Sequence, residues 1–313
     1  MTELVVATES NFSEKCYLAV NRDVAAAIES GAFTSGFDHF SKLGKFESRL
    51  QVADVDSEYF LTEPLTRMIF GQEIESDPRD SILEIGPLNK PLITGKKCKY
   101  FDLFDQNGMQ KRALEQNLDP QTVPHIDFFE KNGDLSVIHE KFDSVFSAHC
   151  IEHQPDLIKH LNQVSKLCKA IGSKYWAIIP DKRYCFDHFF PESRVTEIIQ
   201  AHEDQRVVPR KLNVLEHLAL TTHNDAGRHW RGDHGNFGED VKSRWAAGLQ
   251  HFNAANGGYV DVHCWQFTPK GFFDSINLLF ELGYIDFKCT RYHETAINDL
   301  EFYAVLEKKR EFI

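Results

Sequence analysis

From about residue 80 onward the apolar positions follow two alternating rhythms. Short runs rich in β-branched and aromatic residues predict five strands: Ser81-Ile-Leu-Glu-Ile85, Cys98-Lys-Tyr-Phe-Asp102, His125-Ile-Asp-Phe-Phe129, Phe142-Asp-Ser-Val-Phe-Ser147 and Tyr175-Trp-Ala-Ile-Ile179. Between the fourth and fifth, Leu157, Ile158, Leu161, Val164, Leu167 and Ile171 recur at helical spacing, and Gly172 stops the helix. Further on, Pro269 opens a second amphipathic helix that runs through Leu282 and closes at Gly283; strand-like runs follow at Tyr284 to Tyr292 and Glu301 to Leu306. Strands that alternate with helices predict a mostly parallel α/β sheet.

Two regions stand outside this alternation. Residues 1–79 read as a helical N-terminal segment, with apolar positions at Val20, Val24 and Ile28 and later at Leu61, Leu65 and Ile69. Residues 182–267 form an insertion after the fifth strand that holds 8 of the 15 histidines, 3 of the 4 tryptophans and 7 of the 14 arginines. The sheet is therefore expected from 80–181 and 268–313, split by that insertion.

Charge narrows the function. The chain has 313 residues, with 35 basic against 47 acidic groups and a net charge of −12, which disfavours nucleic acid as a partner. Residues 1–80 carry 15 acidic and 7 basic groups, so the remainder is nearly neutral and leaves room for a local anion site. No apolar run reaches the ~20 residues of a membrane span, and no basic leader precedes an apolar stretch, so no membrane partner is expected. Seven widely spaced cysteines, an odd number, fit a reduced cytoplasmic setting rather than a disulfide framework. Oligomeric state is not readable.

The first strand ends in Glu84-Ile-Gly86-Pro87, and Asp102 closes the second strand eighteen residues after Glu84. A glycine turn followed by an acidic residue about 20 positions on is the layout of a nucleoside-binding α/β sheet, where a carboxylate accepts from both ribose hydroxyls. Leu88 and Lys90 occupy the places where a dinucleotide needs further glycines against its pyrophosphate. Their absence argues against NAD more than against S-adenosylmethionine, which has ribose and adenine but no phosphate.

At these motifs the chain resembles the class I S-adenosylmethionine-dependent methyltransferases. The resemblance covers residues 80–180 and 268–308, through Ile82-Leu-Glu-Ile-Gly86, Tyr100-Phe-Asp102, Asn132-Gly-Asp-Leu135, Phe142-Asp-Ser-Val145 and Ile151-Glu-His153. It implies a Rossmann-like, seven-stranded, mostly parallel sheet closed by an antiparallel pair. It also implies a cofactor-binding set: Glu84 and Gly86 under the methionine moiety, Asp102 on the ribose, Asp134 and Leu135 at the adenine, and Ser147 to His149 beside the reactive methyl. S-adenosylhomocysteine would be the product. The glycine-poor first motif, with Pro91 soon after, departs from the usual pattern at the first helix.

His149-Cys-Ile-Glu-His153 also matches the H-x-x-E-H of a zinc peptidase family. A zinc hydrolase using His149, Glu152 and His153 would need both histidines on one face of a long helix. Pro155 instead predicts a helix start beyond the motif. Some quinone-pathway O-methyltransferases carry a similar Glu-x-x-Glu-His here, with His149 in place of their first glutamate. That change disfavours an oxygen-rich site, so a divalent metal is allowed but not supported, and no metal ligands are assigned.

An insertion after the fifth strand lies where it can roof the ligand crevice at the strands' carboxyl ends. Methylation of a hydroxyl calls for a general base, most often His. His229 and His234, beside Asp233 and two glycines, are the leading candidates, with His149 and Asp181 as rivals. Arg183, Arg228 and Arg231 are candidate clamps for an anionic acceptor, and Tyr184, Trp230 and His263 complete the acceptor set. Asp181-Lys-Arg-Tyr-Cys-Phe-Asp-His188 and Arg228-His-Trp-Arg-Gly-Asp-His234 resemble a bacterial methyltransferase subgroup associated with surface polysaccharides. That resemblance implies O-methylation of a sugar or sugar derivative. The alternative from another class is a catalytically silent cofactor-binding protein that uses the insertion as a partner surface.

Overall fold

A computed structural model describes residues 4–54, 65–77, 81–95 and 97–311; of the apolar positions named above, Leu61 lies outside these. The chain forms two compact units, residues 1–64 and 65–313. In the first, β1 (Leu4–Val6) pairs antiparallel with β2 (Leu50–Val52), and between them lie α1 (Glu14–Val20), α2 (Arg22–Glu29) and α3 (Gly36–His39). Tyr17, Val24 and Phe40 make its small core with Ala7. The helical expectation thus holds for much of this segment, but Leu4–Val6 and Leu50–Val52 form a strand pair. Leu4-Val-Val6 and Leu50-Gln-Val52 are β-favouring runs too short for a helical period to register.

The second unit begins with α4 (Arg67–Ser76), followed by β3 (Ile82–Ile85), β4 (Cys98–Asp102), α5 (Gln106–Glu115), β5 (Phe128–Phe129), β6 (Ser144–Ala148), α6 (Leu157–Leu167) and β7 (Lys174–Pro180). The insertion then supplies α7 (Val195–Glu203), α8 (Lys211–Leu215), α9 (Ala226–Trp230) and α10 (Val241–Ala255). Finally, α11 (Pro269–Glu281), β8 (Phe287–His293) and β9 (Glu301–Lys308) close the chain.

The sheet order is β5-β4-β3-β6-β7-β9-β8. The five strands β3 to β7 are parallel, and β9 pairs antiparallel with both β7 and β8. This is the Rossmann-like, seven-stranded sheet with an antiparallel closing pair that the motifs implied.

Strands buried on both faces explain the near-continuous apolar runs. Leu83, Ile85, Val145, Tyr175 and Ala177 face one side and pack with Leu157, Leu161 and Val164 of α6 and Phe272 and Ile276 of α11. Ile82, Phe146, Trp176 and Ile178 face the other and pack on Phe70 and Ile74 of α4. Phe70 meets Trp176 and Tyr303 edge-on, at 5.5 and 5.1 Å between centroids. α4 therefore clusters with the sheet rather than with residues 1–64. Asp156 caps α6 by accepting from the Lys159 N–H, and the helix ends at Leu167, before Ile171 and Gly172. Among the described residues no helix is long and apolar enough to cross a membrane.

Candidate active site

The strand order reverses at β3, with β4 on one side and β6 on the other, and a cavity of about 400 Å³ opens at the carboxyl ends of these three strands. Gly86 leaves β3 at φ +73, and open space surrounds the point where a Cβ would stand. Its backbone conformation, rather than crowding, selects glycine there. The loop that follows contains no helix among its described residues. Glu84 braces it: the buried carboxylate accepts from the Leu92 and Ile93 N–H groups at 2.9 and 3.1 Å. Burial pushes that carboxyl up to about 7. A side chain from the sheet, rather than a helix start, thus fixes the course of the loop through Pro91.

Asp102 lies beside Gly86 at the end of the neighbouring strand and lines the cavity. One oxygen accepts from the Leu103 N–H at 2.7 Å; the other has only a 3.4 Å approach from the Leu88 N–H and keeps capacity for a ligand. Burial raises its pKa, which a pair of hydroxyl donors would offset. Gly133 and Leu135 also line the cavity.

Asp134 does not line the cavity. It caps the short turn Leu135–Val137 through the Ser136 N–H at 2.9 Å and accepts from Gln163 Nε2 at 2.6 Å. Ser147 is also withdrawn, fully buried with its hydroxyl 2.7 Å from Tyr175 Oη. Both positions follow from ordinary local chemistry: an Asx turn made by Asp134 after Gly133, and a small residue packed inside the sheet.

Of the four candidate bases only His149 reaches the cavity. His229 is 2% exposed; its Nε2 donates to the His223 carbonyl at 3.0 Å, and its Nδ1 sits 3.1 Å from His234 Nδ1. Burial lowers its pKa to about 4, so it is a weak base. His234 lies flat on His188, 3.7 Å between centroids, and does not line the cavity. Asp181 is fully buried and held by Arg183 at 2.6 Å and Thr295 Oγ1 at 2.6 Å.

The candidate clamps are placed likewise. Arg183 is engaged by Asp181 and Glu294, and Arg228 by Asp233 at 2.7 Å; Arg231 is exposed and away from the cavity wall. Tyr184 and Trp230 stack on each other at 3.9 Å, and the indole N–H donates to the Asp299 carbonyl. His263 is buried against Asp187, at 2.6 Å.

The wall around His149 is richer than the sequence suggested. His149 adopts φ +50, a strained conformation for a non-glycine residue. Its Nε2 lies 2.9 Å from Glu301, which also takes a bidentate Arg67 at 2.7 and 2.6 Å and the Tyr303 hydroxyl at 3.0 Å. Burial alone would raise the Glu301 pKa, but the His149 and Arg67 hydrogen bonds outweigh it and bring it to about 2. His153 lines the cavity with its Nδ1 3.0 Å from Asp261, a close ionic contact rather than an aligned hydrogen bond. Asp261 takes Arg112 on its other oxygen at 2.7 Å, and the His153 contact, then Arg112, holds its carboxyl well below the usual range. Tyr259 and Asp261 are how the insertion reaches the cavity. Arg67, Arg112, Tyr259 and Glu301 carried no sequence signal, because they come from four distant stretches and belong to no motif.

No family model matches the chain, and no curated protein matches it. Among solved structures it is similar to a putative zinc-dependent alcohol dehydrogenase from Rhodobacter sphaeroides, at 9% identity over 81% of this chain and 94% of that one, with a TM-score of 0.40. It is also similar to PigF with SAH, at 12% identity over 95% of this chain and 62% of that one, TM-score 0.35. A S-adenosylmethionine-dependent methyltransferase from Methanosarcina mazei is similar at 13% identity over 76% of this chain and 98% of that one, TM-score 0.37. At TM-scores below 0.5 these likenesses decide nothing between a dehydrogenase and a methyltransferase; the fold rests on the strand order itself.

Proposed function

We propose that this protein is a S-adenosylmethionine-dependent methyltransferase acting on a hydroxyl oxygen of a small polar acceptor. The observation that carries the reading is the pairing of Gly86 and Asp102 at the ends of adjacent parallel strands, in the cavity at the strand-order reversal. The loop after Gly86 is braced by a side chain and offers no glycine-rich phosphate cradle, which favours a phosphate-free nucleoside cofactor over NAD.

The acceptor side of the cavity is polar. Arg112, His153, Tyr259 and Asp261 contribute to it, which suits a hydroxylated acceptor such as a sugar or sugar derivative. In the reaction the acceptor oxygen forms a bond to the methyl carbon as the sulfonium S–CH3 bond breaks. The electron pair of that bond stays on sulfur, leaving the neutral thioether, and the acceptor's proton passes to a base. His149 is our candidate for that base, since it alone of the four candidates borders the cavity.

Calorimetric titration with S-adenosylhomocysteine tests the reading. We expect binding to the wild-type protein, no binding of NAD, and a loss of roughly 1 to 3 kcal/mol in Asp102→Ala, which deletes a charged acceptor. Unchanged affinity in that variant, or preference for NAD, would remove the proposal.

A further inference from the structure

Glu152 is the least expected side chain in the molecule. It sits in the turn Ile151–His153 beyond β6, is fully buried, and neither carboxylate oxygen has a hydrogen-bond partner. A buried carboxylate left so is costly unless a cation or donor meets it.

Imidazole nitrogens surround it at just beyond hydrogen-bond range. Around Glu152 Oε1 lie His149 Nδ1 at 3.6 Å, His153 Nε2 at 3.8 Å and His263 Nε2 at 3.9 Å. Each of these rings turns its other nitrogen to a carboxylate: His149 to Glu301 at 2.9 Å, His153 to Asp261 at 3.0 Å, His263 to Asp187 at 2.6 Å. At His263 the hydrogen bond to Asp187 holds the proton on Nδ1 and leaves the Nε2 lone pair facing Glu152. That is the outer-shell arrangement of metal-ligating histidines.

We infer that Glu152, His153 and His263 form a binding site for a first-row divalent transition-metal ion, zinc-like in its donor preference. Their ligand atoms all lie within 4.8 Å of one another. Donors about 2.1 Å from one ion stand roughly 3.0 to 3.5 Å apart, so the two imidazoles must each close on Glu152 by roughly half an ångström, and on one another by up to about 1.3 Å, to complete the set. Two imidazoles and one carboxylate select a borderline ion over magnesium or calcium, which prefer oxygen donors. The site differs from an oxygen-rich one in its nitrogen donors, and from the peptidase pattern in using Glu152 as a ligand and recruiting His263.

The ion would join two parts of the chain. Glu152 and His153 follow β6, whereas His263 closes the insertion, where the Cys264 N–H already donates to the Glu152 carbonyl at 2.6 Å. The metal therefore pins the insertion to the loop that carries His149 and His153, behind the cavity wall. A second histidine group, His188, His229 and His234, is also close enough for an ion. However, His188 and His234 lie face to face, 10° apart, so their in-plane lone pairs do not converge on one nearby point.

The test is metal analysis of the full chain, stripped with chelator and titrated with zinc and with cobalt(II). We expect one equivalent bound and a Tm raised by the metal. Glu152→Gln and His263→Asn should each lose at least tenfold in affinity. S-adenosylhomocysteine titration of the same variants reports folding, and it separates failure of this site from failure of the methyltransferase reading. Anomalous scattering from zinc-soaked wild-type crystals, which needs no variant, should put the ion between Glu152 and the two Nε2 atoms. No retained metal, an ion at His188 and His234 instead, or affinity unchanged in both variants would each overturn the proposal.

Discussion

Two groups of histidines in this molecule look alike in composition and differ in what their second nitrogen touches. In the insertion, His188, His223 and His229 direct a nitrogen at the backbone carbonyls of Arg183, Asp233 and His223, and His188, His229 and His234 stack on one another. The nearest acid, Asp233, is taken by Arg228. At the cavity wall and just behind it, His149, His153 and His263 each meet a carboxylate and converge on Glu152. A backbone carbonyl fixes a tautomer and little more, whereas a carboxylate also orients the ring and supports a metal held on its other nitrogen. The first group is therefore engaged in packing, and the second is the one to which we assign chemistry in our proposals. Local density along the chain ranks them the other way round.

The largest effect that could reverse this comparison is on turnover. His149→Ala should lower the methylation rate roughly 100- to 10,000-fold while His234→Ala leaves it within a few fold. A rate loss confined to His234→Ala would put the base back in the insertion. The next effect concerns acid stability. Burial drops the His160 pKa from 6.5 to about 4, so the unfolded chain binds a proton that the folded state refuses between those values. Stability is therefore full above pH 6.5 and is lost as pH falls toward 4. The contribution of His160 is roughly 3 kcal/mol, from the energy of a pKa unit. His160→Gln should flatten this limb in urea melts at stepped pH; an unchanged limb would mean that His160 titrates normally.

His229→Ala should cost roughly 1 to 3 kcal/mol of stability, because it strands buried partners, with no change in S-adenosylhomocysteine affinity. The smallest effect is at Asp134. Its replacement by Ala should remove a cap, lowering stability by about 1 kcal/mol, and leave cofactor affinity intact. A tenfold affinity loss there would restore Asp134 to the adenine site.

The sheet was legible because its strands are buried on both faces and its helices on one, so periodicity carries nearly all the information. β5 shows the limit: His125 to Phe129 reads as five strand residues, yet only Phe128–Phe129 pair, since the chain enters the sheet's edge late. Gly86 and Asp102 were legible because strand ends place them next to each other. Asp134 and Ser147 do not line the cavity, and the same motif logic could not tell this, since a cap and a buried hydroxyl carry the same letters as ligands. The cavity wall was nearly illegible. Glu301 starts the last strand and Arg67 starts α4, and they meet at His149 only through sheet topology. His263 was read as an acceptor contact; in the structure it faces Glu152 and Asp187, 111 and 76 residues earlier in the chain.

The most direct test is a crystal structure of the protein with S-adenosylhomocysteine. The ribose hydroxyls should lie within hydrogen-bond distance of Asp102, with the amino-acid moiety over Gly86 and the sulfur directed toward His149. Nucleoside density elsewhere in the molecule, or a ribose bound without Asp102, would contradict the assignment of this cavity to methyl transfer.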